Sequence, residues 1–252
     1  MAPQKTTGII LQVRDYSESS QLVNIITLDC GLLKTIAKGS RRLKSPFRGK
    51  LELLNYGVLI YYPSRTSDLH ILSQFDISNS FPEALNTLEK SAFFHYLAEL
   101  SSLAAYGEED SRALFRLLLQ MLRDAHGIDA VLPARLWFEI RYLHLLGVLP
   151  SFDHCSHCGG SLGSDLKFSL EKPGWICAQC GHQVSDSIDI EPGIIAVISY
   201  ILRNNLNQVM KLKLSRRQSD ILDHLLSYLV DRAAHKKIKS KRFLNHVLGR
   251  GI

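Results

Sequence analysis

Leu28-Asp-Cys-Gly-Leu-Leu-Lys-Thr-Ile-Ala-Lys-Gly-Ser-Arg-Arg-Leu-Lys-Ser-Pro-Phe-Arg-Gly-Lys-Leu-Glu-Leu53 is the stretch on which the fold turns. Between Asp29 and Glu52 it holds no acidic residue, yet Lys34, Lys38, Arg41, Arg42, Lys44, Arg48 and Lys50 all lie in that interval. Charge of one sign at this density repels itself, and a folded chain keeps it where a polyanion supplies the countercharge. The segment is not a plain charge run, because Leu32, Leu33, Ile36, Leu43, Phe47, Leu51 and Leu53 are interleaved with the cations. Leu32 to Lys38 predicts a strand carrying Lys34 and Lys38 on one face beside Ile36, about 13 Å apart. Gly39-Ser40 breaks that strand and a basic loop follows. A strand that delivers cations into a loop suits nucleic acid; the same residues would also serve as an ordinary solvated loop.

Outward from this stretch, residues 5–82 predict β structure. Ile9, Leu11 and Val13 alternate with their neighbours, and Asp15 to Ser20 reads as a loop. Leu22 to Leu28 is β-branched and apolar, and Asp29-Cys30-Gly31 supplies a tight turn. Leu51 to Tyr62 and Leu69 to Phe75 complete five short strands. Five strands in so short a span predict a small closed barrel, either of the oligonucleotide-binding type or SH3-like, which strand count does not separate.

From Ser80 the apolar period changes from two to 3.6. Leu85, Leu88, Ala92, Tyr96, Leu100 and Leu103 line one helix, ended by Gly107. Leu114, Leu117, Leu118, Met121 and Leu122 line a second, from Ser111 to Gly127. Glu108, Glu109 and Asp110 at its start suit the helix dipole better than catalysis. Pro133 opens a third helix, apolar nearly all round and so the centre of a bundle. His95, His126 and His144 have no partners at ligand spacing. Pro192 to Leu202 predicts a buried helix. Ser215-Arg-Arg-Gln218 matches a capping box that opens a helix through Leu229, and Ser240 to Leu248 predicts a short last one. Arg232 to Arg242 is a second basic cluster, read equally as a solvated helix end or as a nucleic-acid contact.

Residues 151–189 differ in kind. Cys155-Ser-His-Cys158 and Cys177-Ala-Gln-Cys180 are separated by the 18 residues Gly159 to Ile176. Two such knuckles at this spacing predict a structural zinc site. Each presents two thiolates to one side of a turn, and together they close a tetrahedron with Zn–S distances of about 2.3 Å. Gly159, Gly160 and Gly181 follow the knuckles, where the backbone turns tightly. Four thiolates complete the shell without His154, His157 or His182, and a closed shell leaves no position for catalysis. Cys30 stands apart near a turn and reads as a buried or a bystander thiol.

The whole chain of 252 residues is 46% hydrophobic, enough for one large or two small cores, and its net charge is +6. A polyanionic partner fits that charge. No apolar run approaches the ~20 residues that span a bilayer. The N-terminus carries no signal-peptide core, so a cytoplasmic location without membrane attachment is expected. The phosphate-binding, dinucleotide, zinc-protease and serine-hydrolase motifs are all missing. The sequence therefore predicts a binding protein, not an enzyme.

The order of a basic barrel, a helical domain and a four-cysteine insert resembles the RecO family of bacterial recombination mediators and DNA-annealing proteins. The likeness covers nearly the whole chain. It rests on Asp15-Tyr-Ser-Glu-Ser-Ser20, Gly31-Leu-Leu-Lys-Thr-Ile-Ala-Lys-Gly-Ser-Arg-Arg42, Arg48-Gly-Lys-Leu-Glu52, Phe138-Glu-Ile, Leu146-Gly147 and Ile238-Lys-Ser-Lys-Arg-Phe-Leu244. The expected fold is α+β and multidomain: an OB-type barrel over 1–80, then a helical bundle over 81–252 with the zinc module 151–189 inserted.

The resemblance implies binding of single- and double-stranded DNA, annealing of complementary strands, and help in loading recombinase onto DNA coated by single-strand-binding protein. Implied partners are RecR, the C-terminal tail of single-strand-binding protein and, indirectly, RecA; the implied location is the bacterial nucleoid. DNA backbone would meet Lys34, Lys38, Arg41, Arg42, Lys44 and Arg48, with a secondary contact at Lys236, Lys237, Lys239, Lys241 and Arg242. Tyr16, Phe47, Tyr61 and Tyr62 could stack on bases or belong to the core. The competing readings are a zinc-ribbon nuclease or RNA-processing enzyme, which needs clustered carboxylates for magnesium, and a pure interaction scaffold.

Overall fold

The alternation at the N-terminus resolves into five strands, β1 (Gln4–Asp15), β2 (Gln21–Thr27), β3 (Gly31–Ala37), β4 (Tyr56–Tyr62) and β5 (Leu69–Asn79). The structure is a computed structural model and describes residues 2–103, 108–234 and 237–249. The strands lie in the order β1-β2-β3-β5-β4, and β1 pairs with β4 to close a barrel. β3 and β5 run parallel. This is the OB arrangement, and the strand order settles what strand count left open. Inside, Ile10, Val23, Ile25, Leu33, Leu59 and Phe75 form the core. β3 shows the alternation plainly: Gly31, Leu33, Thr35 and Ala37 point in, while Leu32, Lys34 and Ile36 point out.

The boundaries differ from expectation in informative places. β4 begins at Tyr56, not at Leu51. The apolar residues before it belong to the loop over 38–55, which folds back and inserts Phe47 and Leu51 into the barrel core. Burial of loop side chains thus imitates a strand in the sequence. β5 runs four residues past Phe75 because it pairs along the whole of β4. At Gly57 a Cβ would lie 2.1 Å from the Asp76 carbonyl oxygen, so only glycine permits this crossing.

After a turn at Pro82–Ala84 come α1 (Leu88–Leu103), α2 (Glu108–Arg123), a turn at Ala125–Gly127 and α3 (Val131–Leu145). The cysteine-bearing segment holds β6 (Leu166–Ser169), β7 (Gly174–Cys177), the single turn α4 (Ala178–Gly181) and β8 (Ser187–Ile190). The chain ends with α5 (Ile194–Arg203), α6 (Leu206–Val209), α7 (Arg216–Ala234) and α8 (Lys239–Val247). Gly107, expected to end the first helix, lies outside the described residues. Contacts divide the chain into two compact units, one of residues 1–131 with 234–252, the other of residues 132–233.

In the first unit α1 is buried on more than one side, with Phe93, Phe94, Tyr96, Leu97 and Leu100 all enclosed. It packs against β1 and β2 on one flank and α8 on another. Leu85 and Leu88, expected on its apolar face, are exposed because they precede or begin the helix. Glu99 of α1 accepts from the Lys239 and Ser240 backbone N–H groups at 3.1 and 2.8 Å, satisfying the first turn of α8.

In the second unit α3 is enclosed as its composition predicted, with Trp137, Phe138, Ile140 and Leu143 buried. It also buries Arg135 and Glu139. Arg135 forms an ion pair with Asp223 of α7, and its Nε lies 3.9 Å from the Glu139 carboxylate. Arg141 donates from Nη2 to the Ile201, Leu202 and Asn204 carbonyls at 3.3, 3.1 and 2.7 Å, closing the end of α5. Its guanidinium lies 4.6 Å from the centre of the Trp137 ring. The capping box is present: the Gln218 N–H donates to Ser215 Oγ and the Ser215 N–H to Gln218 Oε1, each at 3.1 Å.

Candidate nucleic-acid interface and metal centre

The outward residues of the barrel form rows that follow from strand register. One row pairs Arg14 with Leu22, Leu22 with Ile36, Ile36 with Ile71 and Ile71 with Tyr62. Paired residues on one face stand about 5 Å apart, so Leu22, Ile36, Ile71 and Tyr62 make a continuous apolar strip. Ile71 and Tyr62 are 39% and 40% exposed. The neighbouring row runs Gln12, Asn24, Lys34 and Leu69, with Asn24 Nδ2 donating to Gln12 Oε1 at 3.3 Å. Lys34 and Lys38 flank Ile36 along the chain, and both are exposed. β3 stops at Ala37, so Lys38 sits just beyond its end.

The loop after β3 carries Arg41, Arg42, Lys44 and Arg48, all exposed. It is held by short turns, Arg42 N–H to Gly39 O at 3.1 Å, Ser45 N–H to Arg42 O at 3.0 Å and Lys50 N–H to Phe47 O at 2.9 Å. Ser40 Oγ donates to Gln21 Oε1 at 3.0 Å, and Arg41 N–H donates to Ser19 O at 3.0 Å. Arg41 also reaches the β1–β2 loop through its side chain, 3.2 Å from Ser17 O and 3.3 Å from Asp15 Oδ2. Lys50 pairs with Asp76 at 3.1 Å; Gln74 and Lys50 together lower the carboxyl pKa of Asp76. The six cations expected at this surface are therefore all accessible on one strand and its following loop.

The candidate stacking aromatics separate cleanly. Phe47 and Tyr61 are core residues, whereas Tyr16 is 59% exposed at the β1–β2 loop and Tyr62 ends the apolar strip. The second basic cluster is mixed. Lys237, Lys239 and Arg242 are exposed, but Lys241 is buried. Helix phase turns Lys241 inward, which removes it as a surface contact; Lys236 lies outside the described residues. His95, His126 and His144 are exposed.

The four cysteines come together as their spacing predicts. The Sγ atoms of Cys155, Cys158, Cys177 and Cys180 lie within 4.8 Å of one another, and those of Cys158 and Cys177 are 4.0 Å apart. A tetrahedron with arms of about 2.3 Å has edges of about 3.8 Å, so the cluster fits a thiolate-bound metal ion. The first knuckle is closed by Gly159 N–H to Cys155 O at 2.9 Å and Cys155 N–H to Gly160 O at 2.8 Å. Gly159 has φ +73°, a conformation that favours glycine. His154, His157 and His182 are exposed and outside the cluster.

The thiols are electrostatically unequal. Burial opposes ionisation of Cys155, but backbone N–H groups of Cys158, Cys177 and His157 outweigh it and bring the thiol down to about 6. Burial and hydrogen bonds from the other cysteines push Cys180 up to about 12. Around the cluster the strands β7-β6-β8 form a small sheet. Phe168 and Trp175 are fully buried in it and meet edge-on at 5.1 Å. The module thus has a small apolar core of its own beside the cysteines. Among the described residues the four cysteines are the one metal-binding grouping, and no acidic cluster accompanies them.

Comparison with known families agrees with this arrangement. The model described as "Recombination protein O N terminal" matches residues 1–81, and "Recombination protein O C terminal" matches residues 85–242. The chain belongs to the RecO family. Among its relatives are proteins named "DNA repair protein RecO" from Clostridium kluyveri, 28% identical over 97% of this chain and 94% of that protein, and from Halalkalibacterium halodurans, 25% identical over 98% and 96%. A third, from Rhodopirellula baltica, is 31% identical over 69% of this chain and 65% of its own. No helix among the described residues is long and apolar enough to cross a membrane.

Sequence reasoning about this RecO chain did not single out Leu22, Ile71 or Arg14 as surface residues. Their alternation was visible, but which face looks outward depends on pairings between strands far apart in the chain.

Proposed function

We propose that this chain is a DNA repair and homologous recombination mediator. It binds single- and double-stranded DNA, anneals complementary strands and helps load recombinase onto DNA coated by single-strand-binding protein. The observation that carries the reading is the barrel face: an apolar strip, half-buried at Leu22 and Ile36 and exposed at Ile71 and Tyr62, bordered by Lys34 and Lys38 and continued by Arg41, Arg42, Lys44 and Arg48. Cations on a strand and its loop bind phosphates without regard to sequence. The strip and Tyr16 give unpaired bases an apolar surface. Lys237, Lys239 and Arg242 offer a secondary contact. RecR, the acidic tail of single-strand-binding protein and, indirectly, RecA are the protein partners, and the nucleoid is the site of action.

The metal is one zinc ion held by Cys155, Cys158, Cys177 and Cys180. Its role is structural, because four thiolates leave no open coordination position. The chain is not an enzyme. Among the described residues no carboxylate cluster that could hold magnesium stands beside the basic surface: Asp15 meets Arg41, and Asp29 Oδ2 accepts from Thr6 Oγ1 at 2.9 Å. A gel with labelled single-stranded DNA, with and without magnesium and the complementary strand, tests the reading. A shift and accelerated duplex formation are expected. Cleavage would replace the mediator by a nuclease, and no shift would leave a protein scaffold.

A further inference from the structure

Leu43 is 83% exposed and lies between Arg42 and Lys44 in the loop after β3. An isolated exposed leucine needs no explanation by itself. This one is held in place on both sides. Ser40 is buried and bonded to Gln21, and four residues beyond Leu43 the ring of Phe47 enters the barrel core. Arg48 Nη1 donates to the Leu43 carbonyl at 3.4 Å, and the Ser45 N–H closes a turn on Arg42 O. The backbone that carries this side chain is therefore tied on both sides, which lowers the cost of ordering the loop around a bound strand. Lys38, Arg41, Arg42, Lys44 and Arg48 are exposed cations of the same loop. An apolar protein partner would have to tolerate that charge; a nucleic-acid strand complements it.

We propose that Leu43 is a wedge that inserts between adjacent bases of a bound DNA strand, an inference that rests on the function proposed above. Stacked bases lie about 3.4 Å apart, and a side chain must open that step to roughly twice the spacing. Leucine is among the apolar residues that proteins insert between the base steps of a duplex; here the neighbouring cations would hold the phosphates while the same insertion opens one step of a strand. The loop supplies both parts within four consecutive positions, Arg41 to Lys44. The cations hold the strand, and Leu43 breaks its stacking, which leaves the bases free of self-structure and ready to pair with a complement.

The test uses the full chain and a single-stranded oligonucleotide containing 2-aminopurine, whose fluorescence rises when it is unstacked. The unmodified chain is expected to raise the signal. Leu43→Ala is expected to lose most of that rise and to weaken binding about tenfold, with the slope of log affinity against log salt unchanged. Leu43→Phe is expected to restore the rise, which a purely structural role would not require. Arg41→Ala/Arg42→Ala provides the contrast, lowering the slope. Binding by the unmodified chain without a rise, or an equal rise in Leu43→Ala, overturns the wedge and leaves the DNA surface standing. No binding by the unmodified chain overturns the surface, and the wedge with it.

Discussion

Arg41 spans two loops of the barrel: its Nη1 lies 3.3 Å from Asp15 Oδ2 at the end of β1, while its backbone belongs to the turn after β3. Both side chains are about half exposed, at 42% and 59%. An ion pair so open to water contributes about 0–1 kcal/mol. Asp15 therefore competes with phosphate for Arg41 more than it supports the fold. Asp15→Asn is expected to shift the melting temperature by less than about 3 °C and to strengthen single-stranded DNA binding about two- to fivefold at low salt. Weaker binding would show that the pair holds Arg41 in its binding pose.

The cations of β3 and its loop should act through counterion release. Removing one phosphate-binding cation lowers the slope of log affinity against log salt by about 0.7 on single strands. Lys34→Ala should lower it by one such step and Arg41→Ala/Arg42→Ala by two, equally for every DNA sequence. Lys237→Ala, in the C-terminal cluster, should change it less. A titration across a salt series reads all three.

Metal removal should act locally. Elemental analysis of protein purified without chelator is expected to find one zinc per chain. Cys177→Ser, or a strong chelator, should raise amide exchange across 151–189 and leave the barrel strands protected. The buried pair Phe168 and Trp175 should keep part of the small sheet protected even then. Folded protein with zinc near zero would refute the site.

Arg135 is the charge on which the second unit depends. It is 1% exposed and faces Glu139 and Asp223. Arg135→Ala removes a buried cation that faces two carboxylates, one of them buried, and should destabilise the unit by roughly 3–5 kcal/mol. Thermal or urea unfolding measures it. Ser215→Ala, which removes half of the capping box on α7, should cost only about 1 kcal/mol.

The parts of this fold that sequence made legible are those set by local rules. Alternation and short apolar runs located the five strands, the fourth begun five residues early, the capping box placed the start of α7, and the spacing of two knuckles brought four sulfurs together. What distant pairing decides was not legible. Leu43 and Phe47 are both apolar residues in one basic loop, yet one is exposed and the other buried in the barrel. Lys239 and Lys241 are two positions apart, and only the packing of α8 turns one outward and the other in. β6, β7 and β8 have four residues each, too few for a period to emerge from a turn-rich segment. Arg135 and Glu139 stand four apart in an apolar helix, a spacing that could have marked a buried pair.

The reach of α8 back to α1 sets an order of events during synthesis. The first unit is completed by α8, and in sequence the second lies between its two parts. As the chain leaves the ribosome, the barrel strands and α1 emerge early. Yet Glu99 and one flank of α1 wait for α8, which is made after everything in the second unit. The first unit thus begins before the second and is completed after it. For that interval an apolar helix flank and an unpaired carboxylate face solvent, and removal of roughly the final fifteen residues would leave them so permanently.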